Sequence, residues 1–586
     1  MVDLESIQPR LRNVAVVGAW GERVNHLYYG DNLTIMQRMP KHSVDLIYLD
    51  PPFKSQQNYN LLYKTMTGKP VPEQAEAFCD TWEMDAQKEE LARTMPVLMR
   101  EYGVDDYYVE FWRLWMQALR NTQPHLLAYL IYMVQRLLHM KVILRPTGSI
   151  YLHCDPTASH YIKVMMDGIF GHQNFRSEIV WKRTSAHSGA RRYGPVHDTL
   201  LFYTISDKYV WNEQFGPYDD QYIDAFFTHT DEQGRRWRRS DLTGAGIRRG
   251  ESGQPWRGFD PTARGRHWAL PQYLSDRLKA LTGEDVNSLG LIDRLERLDK
   301  AGLIHWPKKP GGMPHGKRLL EDAKGIPLQD VWTDIKVMHN LASDRLGYPT
   351  QKPAELLERL ILASSNEGDV IFDPFCGCGT TIYAAEKAKR QWIGCDIAIL
   401  AIKLIREVLT EKYRLSEGMH FQVDGIPVSV EQAEELFKRD PFQFQHWAVE
   451  RAGGFPTQKK GADHGIDGRM YFEGEGKGMQ EMVLSVKGGS VRPTDVRDLR
   501  GVLEREHSAE LAGLISLRPP SKAMREEAAT AGTYTYRGVQ YPRIQFLTVE
   551  DMLVHKREFH TPTKVGTRIA TGQTSLLPAD PIVVER

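Results

Sequence analysis

Short apolar runs alternate with amphipathic stretches through two segments of this chain. The first strand-like run covers residues 24–29 and ends in Gly30-Asp31. The second covers 44–49 and ends in Asp50-Pro51-Pro52-Phe53. A long helical pattern then occupies about 111–142, followed by a strand (149–153), a helix (158–170) and strands at 177–182 and 199–204. Alternation is lost from about 206 to 344, in a stretch rich in Arg, Trp, Gly and Pro that reads as an inserted, loop-heavy module. It resumes with a helix (353–364), a strand (370–373), a helix (380–388), a strand (391–396) and a helix (399–411). Strands alternating with helices predict βαβ units and a mostly parallel sheet, an α/β fold. Ligands of such sheets bind beyond the carboxyl ends of the strands, where Asp50 and Asp373 stand.

After about residue 425 a separate unit is predicted. It holds helices at 430–439, 442–452, 494–507 and 521–531 and strands at 481–487, 512–517 and 544–549. The last residues mix Thr, Pro and Gly and read as a solvated tail. The resulting division is 20–205, 206–345, 346–425, 430–558 and a tail at 559–586.

Composition changes this picture little. Of 586 residues, 41% are hydrophobic and 26% charged, which excludes wholesale disorder. The most apolar run, residues 126–134, is far shorter than the ~20 residues of a bilayer span. The N-terminus lacks the basic start and apolar core of a signal peptide. Five cysteines do not make a disulfide scaffold. A cytoplasmic protein without a membrane partner is expected. The net charge is zero, yet residues 235–268 carry nine Arg against three acids. A nucleic-acid footprint is a local property, so the zero total hides it rather than excludes it.

The segment from Asp369 to Thr381 is an apolar strand ending in a glycine turn that opens a helix. Gly377 and Gly379 let the backbone approach a ligand closely, and the helix N-terminus offers free N–H groups. A second strand ends about twenty residues later in Asp396, where a carboxylate can accept both hydroxyls of a ribose. Together they point to a nucleoside cofactor. Cys376 and Cys378 have no further Cys or His at metal-site spacing, so zinc is not expected.

In Asp50-Pro51-Pro52-Phe53 the prolines stiffen a strand-end turn. The Asp50 carboxylate and the Pro51 carbonyl can then accept hydrogen bonds from one exocyclic amine, and Phe53 offers a stacking face. With the glycine turn, this tetrad resembles the amino-methyltransferases of DNA, in the permuted order of the β class and its type III-like branch. The resemblance covers about residues 28–413. It implies a Rossmann-like methyltransferase sheet, S-adenosylmethionine as cofactor and double-stranded DNA as partner. It also implies catalysis by Asp50, Pro51, Pro52 and Phe53. Asp31 would lie near the cofactor adenine and Lys352, in Thr350-Gln351-Lys352-Pro353, near its methionine part. Asp373, Phe375, Gly377, Gly379, Thr380 and Asp396 would complete the cofactor site. The form DPPF resembles the N6-adenine enzymes more than the N4-cytosine ones, which stay as the alternative. Arg235, Arg236, Trp237, Arg238, Arg239, Trp256 and Arg257 of the insertion are expected to read the DNA target.

From Phe442 the chain resembles Mrr-type restriction endonucleases, a branch of the PD-(D/E)xK fold. The resemblance implies Mg²⁺ held by Asp467, water activation by Lys487 and assistance from Glu450. Ser485 departs from that pattern, since the family has Glu, Asp or Gln there. Two readings remain: a combined restriction–modification chain with an active endonuclease, or a DNA-holding relic. Restriction or defence-system subunits and a second copy of the chain are the protein partners considered. Gln573-Thr574-Ser575-Leu576-Leu577 resembles a bacterial sliding-clamp pentapeptide.

Overall fold

The computed structural model describes residues 25–52, 58–61, 63–64, 75–79, 82–184, 191, 193–283, 286–308, 312–336, 351–457, 465–474, 479–506, 508–562 and 568–569. Phe53, Thr350 and the pentapeptide at 573–577 lie outside them. The chain forms two compact units, one of residues 1–212 with 330–586 and one of residues 213–329.

The larger unit is built on strands β1 (Asn25–Tyr29), β2 (Val44–Leu49), β3 (Leu144–Cys154), β4 (Phe175–Lys182), β5 (His197–Thr204), β6 (Val331–Trp332), β7 (Val370–Asp373), β8 (Gln391–Asp396) and β9 (Phe421–Asp424). They lie in the order β6-β4-β5-β3-β2-β7-β8-β1-β9. Only β5 runs antiparallel to its neighbours; every other pair in this sheet is parallel. This is the mostly parallel sheet that the alternation predicts and the Rossmann-like sheet that the resemblance implies.

β2 shows why the sheet is central. All six of its residues are buried. A strand sends successive side chains to opposite faces. Leu46 and Tyr48 accordingly join one apolar cluster, and Ile47 and Leu49 join another. Helices α1 (Asn32–Met36), α2 (Ala86–Glu101), α3 (Asp106–Thr122), α4 (Pro124–Ile143) and α5 (Ser159–Phe170) fill the second cluster, through Met36, Met95, Trp112, Leu130 and Ile162. Helices α6 (Ala354–Ser364), α7 (Thr380–Lys387) and α8 (Ile399–Glu411) fill the first, through Leu356, Ile382 and Ile402.

The single helix expected over 111–142 is two. Pro124 has no N–H to continue α3, and its fixed φ suits the first turn of α4. Among the described residues α4 is the one helix long and apolar enough for a bilayer, yet 78% of its apolar window is buried inside the protein.

The C-terminal part begins with α9 (Val430–Arg439) and α10 (Pro441–Arg451). Its sheet places β10 (Phe455–Pro456), β11 (Gly468–Glu473), β12 (Met479–Lys487), β13 (Ala509–Ser516) and β14 (Ile544–Thr548) side by side in that order. Helix α11 (Pro493–Arg505) packs against β13. The unit expected after residue 425 has this sheet of its own, and it packs onto the larger one through a shared apolar cluster. Ala433, Leu436, Phe444 and Trp447 belong to the same apolar cluster as Leu27, Tyr29 and Ile402.

The smaller unit is more regular than a loop-heavy module. His229–Thr230, Arg236–Asp241, His315–Leu319 and Ile304–His305 form a four-stranded sheet in that order. Helices Gln272–Thr282 and Leu291–Lys300 share a core with Trp256, Trp268 and Leu303. The expected boundaries of 206 and 345 are too wide, because β6 at 331–332 pairs with β4 in the large sheet.

Candidate active site

Four parallel neighbours, β2, β7, β8 and β1, end on one edge of the sheet. Their ends deliver Asp50, Asp373, Asp396 and Gly30-Asp31 to one cavity. The cavity is open to solvent and offers about 150 Å³ to the centres of water-sized spheres; Pro51, Pro52, Lys352, Phe375, Gly377 and Thr380 also line it. One water needs about 10–15 Å³ on that measure, so the space suits a small-molecule ligand rather than a single water.

Asp396 is buried and accepts two backbone hydrogen bonds, from Gly377 N–H and Ala398 N–H, both at 2.8 Å. Burial pushes its carboxyl up to about 6. Asp373 accepts the Phe375 N–H at 3.0 Å and the Thr381 hydroxyl at 2.5 Å. Burial pushes it up to about 7, and Asp50 and Asp396 add to the rise. Both oxygens of Asp373 therefore hold the glycine turn in place. Gly379 does not line the cavity. It opens α7 at φ +87°, and a Cβ there would stand 2.7 Å from Ile405 Cγ1. Its role is backbone geometry and packing, a correction to the ligand contact expected of it.

Asp31 caps α1 by accepting the Leu33 N–H at 2.7 Å. It also pairs with Arg136, whose Nη2 lies 2.7 Å from it. Arg136 donates to Asn32 Oδ1 at 2.7 Å and stacks 3.4 Å over the Tyr132 ring. Asn32 in turn donates to the Pro374 carbonyl at 2.8 Å, which ties the β1 turn to the β7 turn. Sequence reasoning missed Arg136 and Tyr132, because α4 reads as an apolar core helix.

Lys352 was expected beside the cofactor's methionine part. The structure places its ammonium in an ion pair with Asp50 Oδ2. Among the described residues, the other oxygen, Asp50 Oδ1, is buried with no hydrogen-bond partner. A buried acceptor left unpaired is costly, so it marks a position where a donor arrives. Tyr48 lines the cavity two residues before Asp50, on the same face of β2. Its hydroxyl meets His153 Nδ1 at 2.9 Å, and His153 Nε2 meets Asp198 Oδ2 at 3.2 Å. His153 and Asp198 are buried. Burial alone would raise the Asp198 carboxyl, but the His153 hydrogen bond and charge hold it below its ordinary value. The alternation of Tyr48 with Asp50 was the one sequence signal that could have found this chain of contacts.

In the smaller unit, Trp237 and Trp256 are buried and cannot stack on a base, which corrects that expectation. Trp237 lies against His229 with ring centroids 4.4 Å apart, and Trp256 sits in the apolar core. Arg235 pairs with Asp231, Arg236 with Asp224, and Arg257 with Glu296 and Asp299. Arg238 contacts the Tyr222 hydroxyl at 3.3 Å, and Arg239 is exposed. The exposed loop between Gly246 and Gly250 carries Ile247, Arg248 and Arg249, none of which was singled out in the sequence.

The described C-terminal residues do not form a Mg²⁺ site. Asp467 accepts the Val486 N–H at 2.6 Å and the Ser485 hydroxyl at 3.3 Å. Lys487 borders a cleft with Ser485, Asp495 and Asp498, which Asp467 does not line. Glu450 instead faces Lys403 and Ile399 of α8. No group of three or more His, Cys, Asp or Glu among the described residues could hold a metal.

A family model described as DNA methylase, of the N6/N4 group, matches residues 44–407. The chain belongs to the N6/N4 DNA methylase family. A second model, described as NACHT-associated inactive Restriction Endonuclease 1, matches residues 441–553. Among similar proteins, the type II methyltransferase M.EcaI of Enterobacter cloacae is 32% identical over 279 residues, which is 47% of this chain and 56% of its own. The Mod subunit of the type III restriction-modification enzyme StyLTI of Salmonella typhimurium is 25% identical over 391 residues, 63% of this chain and 51% of its own. The chain spans about half the length of these curated relatives.

Proposed function

We propose that the protein transfers a methyl group from S-adenosylmethionine to an exocyclic amine of a DNA base, with adenine N6 as the preferred target, within a restriction–modification or defence system. The observation that carries this reading is the pairing of a buried Asp50 Oδ1, without a partner among the described residues, with a stiff Pro51-Pro52 turn lining the Asp31–Asp396 cavity. The motif order, with Asp50 before the glycine turn, supports the β class.

S-adenosylmethionine, when bound, supplies a methyl group on a sulfonium. Asp31 and Asp396 are placed to hold its adenosyl part, one from the end of β1 and one from the end of β8. An exocyclic amine is a weak nucleophile because its lone pair is conjugated into the ring. Asp50 Oδ1 and the Pro51 carbonyl accept its two N–H groups, which frees and directs that lone pair. The same oxygens stabilise the positive charge that grows on nitrogen. Lys352 fixes the carboxylate's orientation, so much of the rate comes from positioning. The base must leave the duplex to reach this cavity.

The test is transfer of a tritiated methyl group to DNA. Asp50→Ala is expected to abolish transfer while leaving S-adenosylmethionine binding near wild type. Asp396→Ala is expected to weaken that binding. Near-normal transfer by Asp50→Ala would refute the assignment. An N4-cytosine product would keep the chemistry and change the base.

A further inference from the structure

We infer that helix α10 of the C-terminal part belongs to the cofactor site, with Gln443 and Glu450 as positioning residues for the adenosyl-binding turns of the methyltransferase sheet; this rests on the methyltransferase reading above. Gln443 and Glu450 stand seven residues apart, two helical turns, and so lie on one face of α10. Gln443 is buried, and its Nε2 donates to the Tyr29 carbonyl at 3.2 Å. That carbonyl closes β1 directly before Gly30-Asp31. Two turns along, the buried Glu450 carboxyl, whose Oε2 has no hydrogen-bond partner among the described residues, faces the Ile399 N–H at the first residue of α8. That N–H follows directly on the turn after Asp396, and the α8 N-cap residue, Ala398, has no side chain able to serve it.

The two turns are themselves tied together. The Gly30 N–H donates to the Asp396 carbonyl at 2.9 Å, and Cys395 Sγ lies 3.2 Å from the Gly30 carbonyl. The space behind them is tight, since a Cβ on Gly425 would stand 2.2 Å from the Tyr29 carbonyl oxygen. One helix from outside the methyltransferase fold therefore buttresses both acids expected to hold the adenosyl group. The apolar cluster is continuous across this contact, through Tyr29, Ile402, Phe444 and Trp447. Lys403, Asp396 and the Tyr29 hydroxyl are the charged and titratable groups around Glu450. Burial pushes the Glu450 carboxyl up to about 8, so it is largely protonated at neutral pH and glutamine reproduces its shape. The residue that the sequence assigned to phosphodiester cleavage thus serves the other half of the chain.

The experiment uses the full-length protein and compares S-adenosylmethionine affinity by calorimetry with methyl-transfer kinetics. Gln443→Ala and Glu450→Ala are each expected to raise the cofactor Kd about tenfold, the worth of one good hydrogen bond, with kcat at saturating cofactor within twofold. Glu450→Gln is expected to stay within about threefold of wild type in Kd. Lys522→Ala, exposed in the same part of the chain, serves as the control and should change neither constant. If Glu450→Ala does not fold, Gln443→Ala and Glu450→Gln decide. Unchanged Kd in the α10 variants, with Asp396→Ala weakened in the same assay, overturns the inference. Unchanged Kd in Asp396→Ala as well overturns the cofactor reading beneath it. A loss of kcat and affinity together that glutamine does not restore shows a merely structural contact and also overturns the inference.

Discussion

Lys352 holds one oxygen of Asp50 in an ion pair while the other oxygen of the same carboxylate is buried and has no partner among the described residues. The pair joins the end of β2 to the segment just before α6, 302 residues later. Its consequence is a carboxylate with one fixed orientation and one vacant acceptor. Lys352→Met is expected to lower kcat about 10- to 100-fold, because the carboxylate loses that orientation. The KM for S-adenosylmethionine should change little. A Lys352→Met enzyme with normal kcat and a raised cofactor KM would return Lys352 to the methionine-binding role that its motif suggested.

The Tyr48–His153–Asp198 chain makes a stability prediction. His153→Ala leaves the Asp198 carboxylate buried without its principal hydrogen bond. Leaving a buried acceptor without its hydrogen-bond donor costs about 1–3 kcal/mol. Urea denaturation should show a loss of that order. A change under about 0.5 kcal/mol, the range of surface substitutions, would show that the chain of contacts is not formed in solution.

Asp373 makes stability depend on pH. Its carboxyl is raised to about 7, whereas an unfolded aspartate ionises near 3.9. Between those values the unfolded chain has lost the proton that the folded chain keeps. Stability from this group is therefore greatest below about pH 4 and falls as pH rises towards 7. The rise corresponds to about 4 kcal/mol. In urea titrations from pH 5 to 8, the stability of wild type relative to Asp373→Asn should decline. A difference that stays flat or grows with pH would contradict this account of the site.

The smaller unit predicts which arginines touch DNA. Arg235, Arg236 and Arg257 are occupied by carboxylates, while Arg248 and Arg249 stand exposed on the Gly246–Gly250 loop. Replacing Arg248 and Arg249 together is expected to flatten the log–log salt slope of DNA binding by nearly two, at about 0.9 per phosphate contact. Replacing Arg235 and Arg236 should change it less. The reverse order in a salt series would restore the sequence-based choice.

Much of the sheet was legible because its strands obey simple rules. β2, β7 and β8 are short apolar runs closed by Asp50, Asp373 and Asp396, and alternation alone gives their bounds. The acids of the site were legible for the same reason, since each terminates such a run. What escaped reading depends on contacts distant in sequence. Lys352 reaches Asp50, and Arg136 reaches Asp31 from an apolar helix; no local pattern carries either contact. The strand Arg236–Asp241 escaped because its sequence, RWRRSD, is too polar to read as half-buried. The approach of Glu450 to α8 was not legible either, because its motif position says nothing of which face of α10 it occupies.

The central claim, methyl transfer to a base amine through Asp50, is tested most directly by mass spectrometry of nucleosides. Duplex DNA would be incubated with S-adenosylmethionine labelled with a deuterated methyl group. The account predicts labelled N6-methyldeoxyadenosine with the wild-type protein and none with Asp50→Ala. Label on cytosine C5, or equal labelling by Asp50→Ala, would contradict it.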